Sequence, residues 1–482
     1  MKDIVELLDL PDELILFIMK KVNPQVLLLC SAINIGNKRF EQLAFDTCYA
    51  IDLTFDYSRA PYKLLMEQFY SNVLPRVIYN IKSLTINCYH ISSIKRFMKN
   101  NCNATLPNLM HVKILVGARH GKTSMPITIG NSLMFYPDMR TPLFTTVPQF
   151  ILSPHKMIGE KIITFCRLPF MHAAQSVELD ENLVSYEIFA NNQPYFDQLK
   201  QISCPNLKKM TMIMYRNFNN YEQCTSVLQR LSNVEYLTLL LAIDQNGIRP
   251  SHFIDGSILE KKILQYMPRL CQFNYHIRSI LKNTFHITIN RIRQSFLKHE
   301  QPFDCVLDHF KNKYGQCQIY SLPFIGSRLD FISNRFPLFD IKNTFSNVTI
   351  LLLFDDVKPF ESIFFERVAR ALSRLRTLEI INQLEQQEKT TTQKTNIDFP
   401  HLAVLILYDI HIDYAEEFLC QIHLPALIEL AINKDILLKI ISQNQQQARH
   451  NCSKVARLLT SKSSHQSVDT IRNFFPQADY CE

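Results

Sequence analysis

"VTILLLFDDVKPFESIFFERVARALSRLRTLEI", Val348 to Ile380, contains the same six-residue frame twice. The frame is apolar-x-x-apolar-x-apolar, first as "VTILLL" at Val348 and then as "LRTLEI" at Leu375, an interval of 27 residues. Alternation of this kind suits a strand with one face buried. Between the two frames, "PFESIFFERVARALSRL" places Phe360, Phe364, Val368 and Leu372 on one helical face. Pro359 stands where a first helical turn tolerates it. One unit therefore reads as strand, helix, strand.

The frame recurs along the chain. It appears as "IKSLTI" at Ile81, "LMHVKI" at Leu109, "LKKMTM" at Leu207, "VEYLTL" at Val234 and "LCQFNY" at Leu270, and again as "LAVLIL" at Leu402 and "LIELAI" at Leu427. Leu207 to Val234 and Leu375 to Leu402 are 27 residues each, and Leu402 to Leu427 is 25. These intervals fall in the range of about 20 to 29 residues found in leucine-rich repeats, where a short strand alternates with a helix. Turn signals such as "CPNL", "LSNV", "FPHL" and "LPAL" precede several frames. Only a weak unit, near "AQSVEL", interrupts the 98 residues between Leu109 and Leu207, and none is evident between Leu270 and Val348. Stretches 116–173 and 280–344 therefore read as degenerate repeats or insertions. "NQLEQQEKTTTQKTNID", Asn382 to Asp398, is polar and of low complexity and reads as a mobile loop within one unit. Residues 435–482, with "SQNQQQARHNCSKVARLL" and "VDTIRNFFP", read as a helical cap on the end of the array.

Of the 482 residues 47% are apolar and 20% charged, the composition of a globular chain able to bury a large core. The formal net charge is +8, and the longest basic groups are pairs such as Lys20-Lys21 and Lys208-Lys209. A surface built for phosphates gathers Lys and Arg on one element, so nucleic acid is not an expected partner. Thirteen cysteines are scattered without a CxxC pair, which reads as reduced thiols inside a cell, in cytoplasm or nucleus. Apolar runs fall short of the ~20 residues that span a bilayer. Asp3, Glu6, Asp9, Asp12 and Glu13 break up the first segment, unlike a secretory signal.

Catalytic motifs come close without closing. "HVKILVGARHGKTS" sets Gly117 before Gly121-Lys122-Thr123, but only three residues separate the glycines where a phosphate loop needs four. His450 and Cys452, two apart on a helix, point to different faces and make a poor nucleophile pair. The histidines show no HExxH and no paired zinc spacing. No catalytic residue, metal or cofactor is expected.

The chain starts with a surplus of apolar side chains. "LLDLPDELILFIMKKVNPQVLLLC", Leu7 to Cys30, forms a stripe of Leu10, Leu14, Ile18 and Val22, with Leu16, Phe17 and Met19 on its flanks. Asn23-Pro24 divides this helix from a second one. Together with "NKRFEQLA" the segment resembles an F-box, the helical motif that docks F-box proteins onto the Skp1 adaptor of cullin-RING ubiquitin ligases. The likeness covers Leu8 to Phe45, with Phe40 where a tryptophan is common. The array behind it is similar to the substrate-binding half of F-box/leucine-rich-repeat proteins. By that resemblance Leu10, Pro11, Leu14, Ile18, Leu28 and Phe40 would contact Skp1.

The expected architecture is α/β: an F-box-like helical motif over 1–48, a curved leucine-rich-repeat-like β/α solenoid with a parallel sheet over 49–434, and the helical cap over 435–482. The resemblance implies a non-catalytic substrate receptor of a Skp1–cullin–F-box ubiquitin ligase, with the cullin-RING ligase reached through the adaptor. The alternative is a repeat protein that binds other proteins with no ligase role, its first helices capping the array. Strand residues opposite the framed ones are mixed in early units, at Ser83, Thr85, Asn87, His111, Lys113 and Leu115, and become apolar later. Ile350, Leu352, Phe354, Ile381, Val404, Ile406 and Tyr408 form the later strip. Either the chain itself covers this strip, as strands apolar on both faces usually require, or it is a groove for a substrate peptide. The second reading makes these seven the candidate substrate-binding residues.

Overall fold

A computed structural model describes residues 9–19, 25–46, 48–53, 62–87, 106–115, 175–180, 206–218, 221–244, 252–284, 287–297, 301–311, 313–337, 344–388, 397–460 and 468–481, with short pieces between 90 and 97. The chain is α/β, built from parallel strands and helices. It divides into two compact units, with one boundary between Tyr275 and His276.

The first unit opens with helices α1 (Asp12–Met19), α2 (Gln25–Ile35) and α3 (Lys38–Asp46). Asp12 and Glu13 sit in the first turn of α1, where carboxylates favour the positive end of the helix dipole. Gly36, at φ +71°, ends α2 in the left-handed conformation that glycine adopts without strain. Asn37 caps α3 through its Oδ1, which accepts the Phe40 N–H at 3.0 Å. The strands β1 (Ala50–Leu53), β2 (Ser83–Asn87), β3 (His111–Leu115), β4 (Ser176–Asp180), β5 (Lys209–Phe218) and β6 (Tyr236–Asp244) lie side by side, all parallel and in sequence order. Between β1 and β2, α4 (Tyr62–Gln68) runs through a π turn into α5 (Leu74–Val77). Helix α6 (Tyr221–Leu228) links β5 to β6, and α7 (Gly256–Lys262) follows β6.

In the second unit the last part of β7 (Gln272–Lys282), from His276 onward, pairs antiparallel with β9 (Tyr314–Ser321), which pairs antiparallel with β8 (Phe303–His309). Helix α8 (Ile289–Ser295) precedes this hairpin. A second parallel sheet follows in strict chain order: β10 (Arg328–Ile332), β11 (Ile350–Phe354), β12 (Thr377–Asn382), β13 (Val404–Ile410), β14 (Glu429–Ile432), β15 (Arg457–Leu459) and β16 (Asp479–Cys481). Its helices are α9 (Ser362–Ala371), α10 (Ile412–Glu416), α11 (Lys434–Gln443), α12 (Gln446–Cys452) and α13 (Val468–Phe474).

The framed residues are where alternation puts them. Leu84, Ile86, Val112, Ile114, Leu237 and Leu239 are buried in the first unit, and Leu351, Leu353, Leu378, Ile380, Leu405, Leu407, Leu430 and Ile432 in the second. Those of the second unit share a core with Phe364, Phe365 and Val368 of α9. A backbone signature accompanies the frame, because one carbonyl just before each strand accepts two consecutive N–H groups of the following unit. Tyr49 O takes those of Lys82 and Ser83, and Lys82 O those of Met110 and His111. Thr349 O takes Arg376 and Thr377, Arg376 O takes Ala403 and Val404, and Ala403 O takes Ile428 and Glu429, all at 2.8 to 3.0 Å. Both lone pairs of each carbonyl are thereby used.

One expectation needs correction, and two others gain detail. Stretch 435–482 is not purely helical: β15 and β16 extend the parallel sheet, Leu430 pairing with Leu458 and Leu458 with Tyr480. Stretch 280–344, read as degenerate repeats or insertions, holds an antiparallel hairpin inserted in the parallel array, after which β10 rejoins the parallel pattern. The loop 382–398 is anchored at both ends. Asn382 donates to Lys358 O at 2.8 Å, the Gln386 side chain donates to Phe360 O and Glu417, and Ile397 and Phe399 are buried beside a bridge from Asp398 to His423. Its centre, 389–396, lies outside the described residues, as does stretch 116–173 with the Gly117 to Thr123 motif.

Buried asparagines close the turns between units. Asn451 accepts the Leu424 N–H at 3.0 Å and donates to the carbonyls of Leu419 and Ile422 at 3.0 and 2.7 Å. Asn451→Ala leaves these groups unpaired in a dry interior and is expected to cost on the order of 3 kcal/mol. A urea titration of the variant, with the exposed Gln446→Ala as a control, measures it.

Candidate functional site

The first three helices bury one face and expose another. Ile15, Met19, Val26, Leu29, Cys30, Ala32 and Ala44 are interior. On the outside, Leu14 is 50% exposed, Phe17 61%, Ile18 39% and Ile35 54%. Positions 14, 17 and 18 share one side of a helix by their spacing, with exposed Pro11 and half-buried Leu10 at its entry. Leu14, Phe17 and Ile18, exposed on one side of α1 with Pro11 at its entry, form a patch of the kind that marks an interaction surface.

The elements beneath hold that patch in place. Arg39 of α3 reaches back to α1: its Nη2 lies 2.7 Å from Asp12 Oδ1 and 2.9 Å from Leu10 O. Glu41 pairs with Arg76 of α5, whose guanidinium also lies over the Phe45 ring. Asn80 donates to Phe45 O at 3.2 Å, and the Cys30 thiol, pushed up to about 11 by burial, faces Leu65 O.

Of the residues proposed for adaptor contact, Pro11, Leu14 and Ile18 are exposed and Leu10 and Leu28 half-buried. Phe40 is 3% exposed. It supports the motif from inside, and its assignment to the contact surface is corrected. Sequence reading placed Phe17 on the flank of the stripe and passed over Ile35, yet these are the most exposed of the group. The signal was available for Ile35, an apolar residue directly before the glycine that ends α2.

The apolar strip of the second unit is not a groove. Leu352, Phe354 and Ile381 pack with Ile280, Phe310 and Phe331, supplied by β7, the β8–β9 hairpin and β10. Phe310 meets the Phe354 ring edge-on at 5.1 Å. Ile406 is buried with Ala431 and Leu459, and Val404 packs against them. Ile350 is half-buried, and the side chain of Tyr408 lies outside the described residues. The assignment of this strip to substrate binding is therefore corrected: the chain's own hairpin and β10 cover Leu352, Phe354 and Ile381, and Ile406 is buried as well.

The hairpin meets β10 through buried polar groups. His276 donates from Nε2 to Gln318 Oε1 at 3.0 Å, and Gln316 donates to Phe331 O at 2.8 Å. Phe331 adopts φ +55°, a strained value for a bulky residue, at a register shift between Leu329 and Ile332. Burial, aided by Arg278, lowers the His276 pKa from 6.5 to about 4. Unfolded, His276 takes a proton near 6.5; folded, it stays neutral down to about 4. Its contribution to stability is thus intact above pH 6.5 and lost as pH falls toward 4. By pH 5 the loss amounts to roughly 2 kcal/mol. Asp308 and Glu417, whose carboxyls burial pushes up, act in the opposite sense. The informative quantity is therefore the difference between proteins: His276→Gln should lose about 2 kcal/mol less than wild type between pH 7.5 and 5, measured by denaturant unfolding.

His450 is exposed and stacks on His423 at 5.9 Å, whereas Cys452 is buried with its thiol pushed up. The two do not converge. Among the described residues, no group of three or more His, Cys, Asp or Glu is placed to hold a metal, and no helix is long and apolar enough to cross a membrane. No protein-family model matches the chain, and no curated protein matches it.

Proposed function

We propose that the chain is a non-catalytic substrate receptor of a Skp1–cullin–F-box ubiquitin ligase. Its N-terminal three-helix motif acts as the F-box and its strand-and-helix units as a leucine-rich-repeat solenoid. The observation that carries this reading is the exposed patch of Leu14, Phe17 and Ile18 beside Pro11. A helical cap has no use for such a surface, and a docking motif does. Rate enhancement would come from holding a target protein near the ubiquitin-charged enzyme.

The target is read by the first unit. There the sheet face opposite the framed residues is polar and partly open, with Ser83, Thr85, Lys113, Ser176 and Glu178 half-exposed and His111 exposed, whereas Leu352, Phe354, Ile381 and Ile406 of the second unit's strip are buried. Co-purification with Skp1 tests the reading. Stoichiometric capture by the full chain supports it, and no capture at micromolar concentrations leaves a repeat protein without a ligase role.

A further inference from the structure

The docking patch begins where α1 begins, and its first two members are outside regular helix. Leu10 precedes Pro11, which biases it to extended backbone and removes one N–H. Pro11 O accepts the N–H groups of Leu14 and Ile15, each at 3.1 Å, so the first turn hangs on Pro11. What fixes this entry is a side chain far along the chain. Arg39 Nε donates to Asp12 Oδ1 at 2.9 Å while its Nη2 reaches both that oxygen and Leu10 O.

We propose that Arg39 is the positioning residue of the docking surface, a clamp that holds Leu10 to Asp12 so that Leu10, Pro11 and Leu14 present one fixed face to the adaptor. The inference rests on the docking role proposed above. Asp12 and Arg39 are about half-exposed, and an isolated surface ion pair contributes little. This one differs in geometry, since a single planar guanidinium spans a carboxylate and a backbone carbonyl. Lysine, a point charge on a flexible stem, holds one of the two at a time. A preorganised face avoids ordering on binding, so losing the clamp weakens capture without removing a contact.

The test has two arms. In the first, amide hydrogen exchange at Leu14 and Ile15 is followed in the full chain alone. Arg39→Ala and Asp12→Ala are each expected to speed it about fivefold, Arg39→Lys about twofold, with melting of the whole chain unchanged. In the second, Skp1 affinity is measured in a double-mutant cycle. Each alanine variant is expected to weaken binding about fivefold and the double variant no more than either single, because both remove the same clamp. Multiplying losses would mean that Arg39 touches the adaptor directly, and would overturn the proposal, as would unchanged exchange. If exchange accelerates and the wild-type chain does not bind Skp1, the docking role falls and the F-box reading falls with it.

Discussion

Leu14→Asp is expected to abolish capture of Skp1 while leaving the chain folded. Leu14 is half-exposed on α1, so the substitution disturbs little of the interior, and the melting temperature should stay within a few degrees of wild type. In the proposed complex the same position would lie inside an apolar contact, with Pro11, Phe17 and Ile18 around it. An unpaired carboxylate there costs several kcal/mol, and each 1.4 kcal/mol is tenfold in affinity. The weakening should exceed about a hundredfold, enough to empty a pull-down. Ile15→Asp provides the contrast: Ile15 points to the interior, and its replacement should melt the helical motif. Retention of Skp1 by the folded Leu14 variant would end the docking assignment.

Leu352→Asp addresses the opposite face of the molecule's chemistry. Leu352 is fully buried under Phe310 and Phe331, and the hairpin leaves no water for a charge at that site. A fall in stability above about 4 kcal/mol is expected, the size associated with an uncompensated buried charge. Far-UV circular dichroism on heating should show early loss of structure. A variant that melts normally and has lost binding to a target would restore the groove that the structure removes.

The strand positions were legible because burial on one face imposes a period of two, and the frame records it at most units from Ile81 to Leu427, though not at β10. Helix α9 was legible for the same reason at a period near 3.6, with Phe360, Phe364, Val368 and Leu372 all buried. The hairpin 303–321 was not, since "DCVLDH" and "GQCQIY" mix polar and apolar residues, and β9 is buried on both sides despite its polar ones. Gln316 and Gln318 look like surface residues in sequence and are interior because backbone carbonyls of β10 accept from them. Missing this hairpin left both alternatives standing, a strip covered by the chain and a groove. The last two strands, three residues each, are too short to show a period. At the candidate site the exposed helix face was readable as a surplus of apolar residues, but the inward turn of Phe40 depended on how α3 packs. The Arg39 clamp joins residues 27 and 29 apart in sequence, beyond any local pattern.

The doubly accepting carbonyls give the parallel array a direction. In the second unit, Ser327, Thr349, Arg376, Ala403 and Ile428 each offer a carbonyl that only the following strand can fill. A strand that docks closes its predecessor's account and opens its own, so energy resides in the junctions more than in the pieces they join. Nearest-neighbour coupling of this kind makes stability grow with the number of intact junctions. Proline at Thr377 removes one donor of the pair at Thr349 O, and its damage should spread to β11 and β12 alike before β14 responds. Amide exchange read strand by strand would then trace loosening outward from a single broken seam.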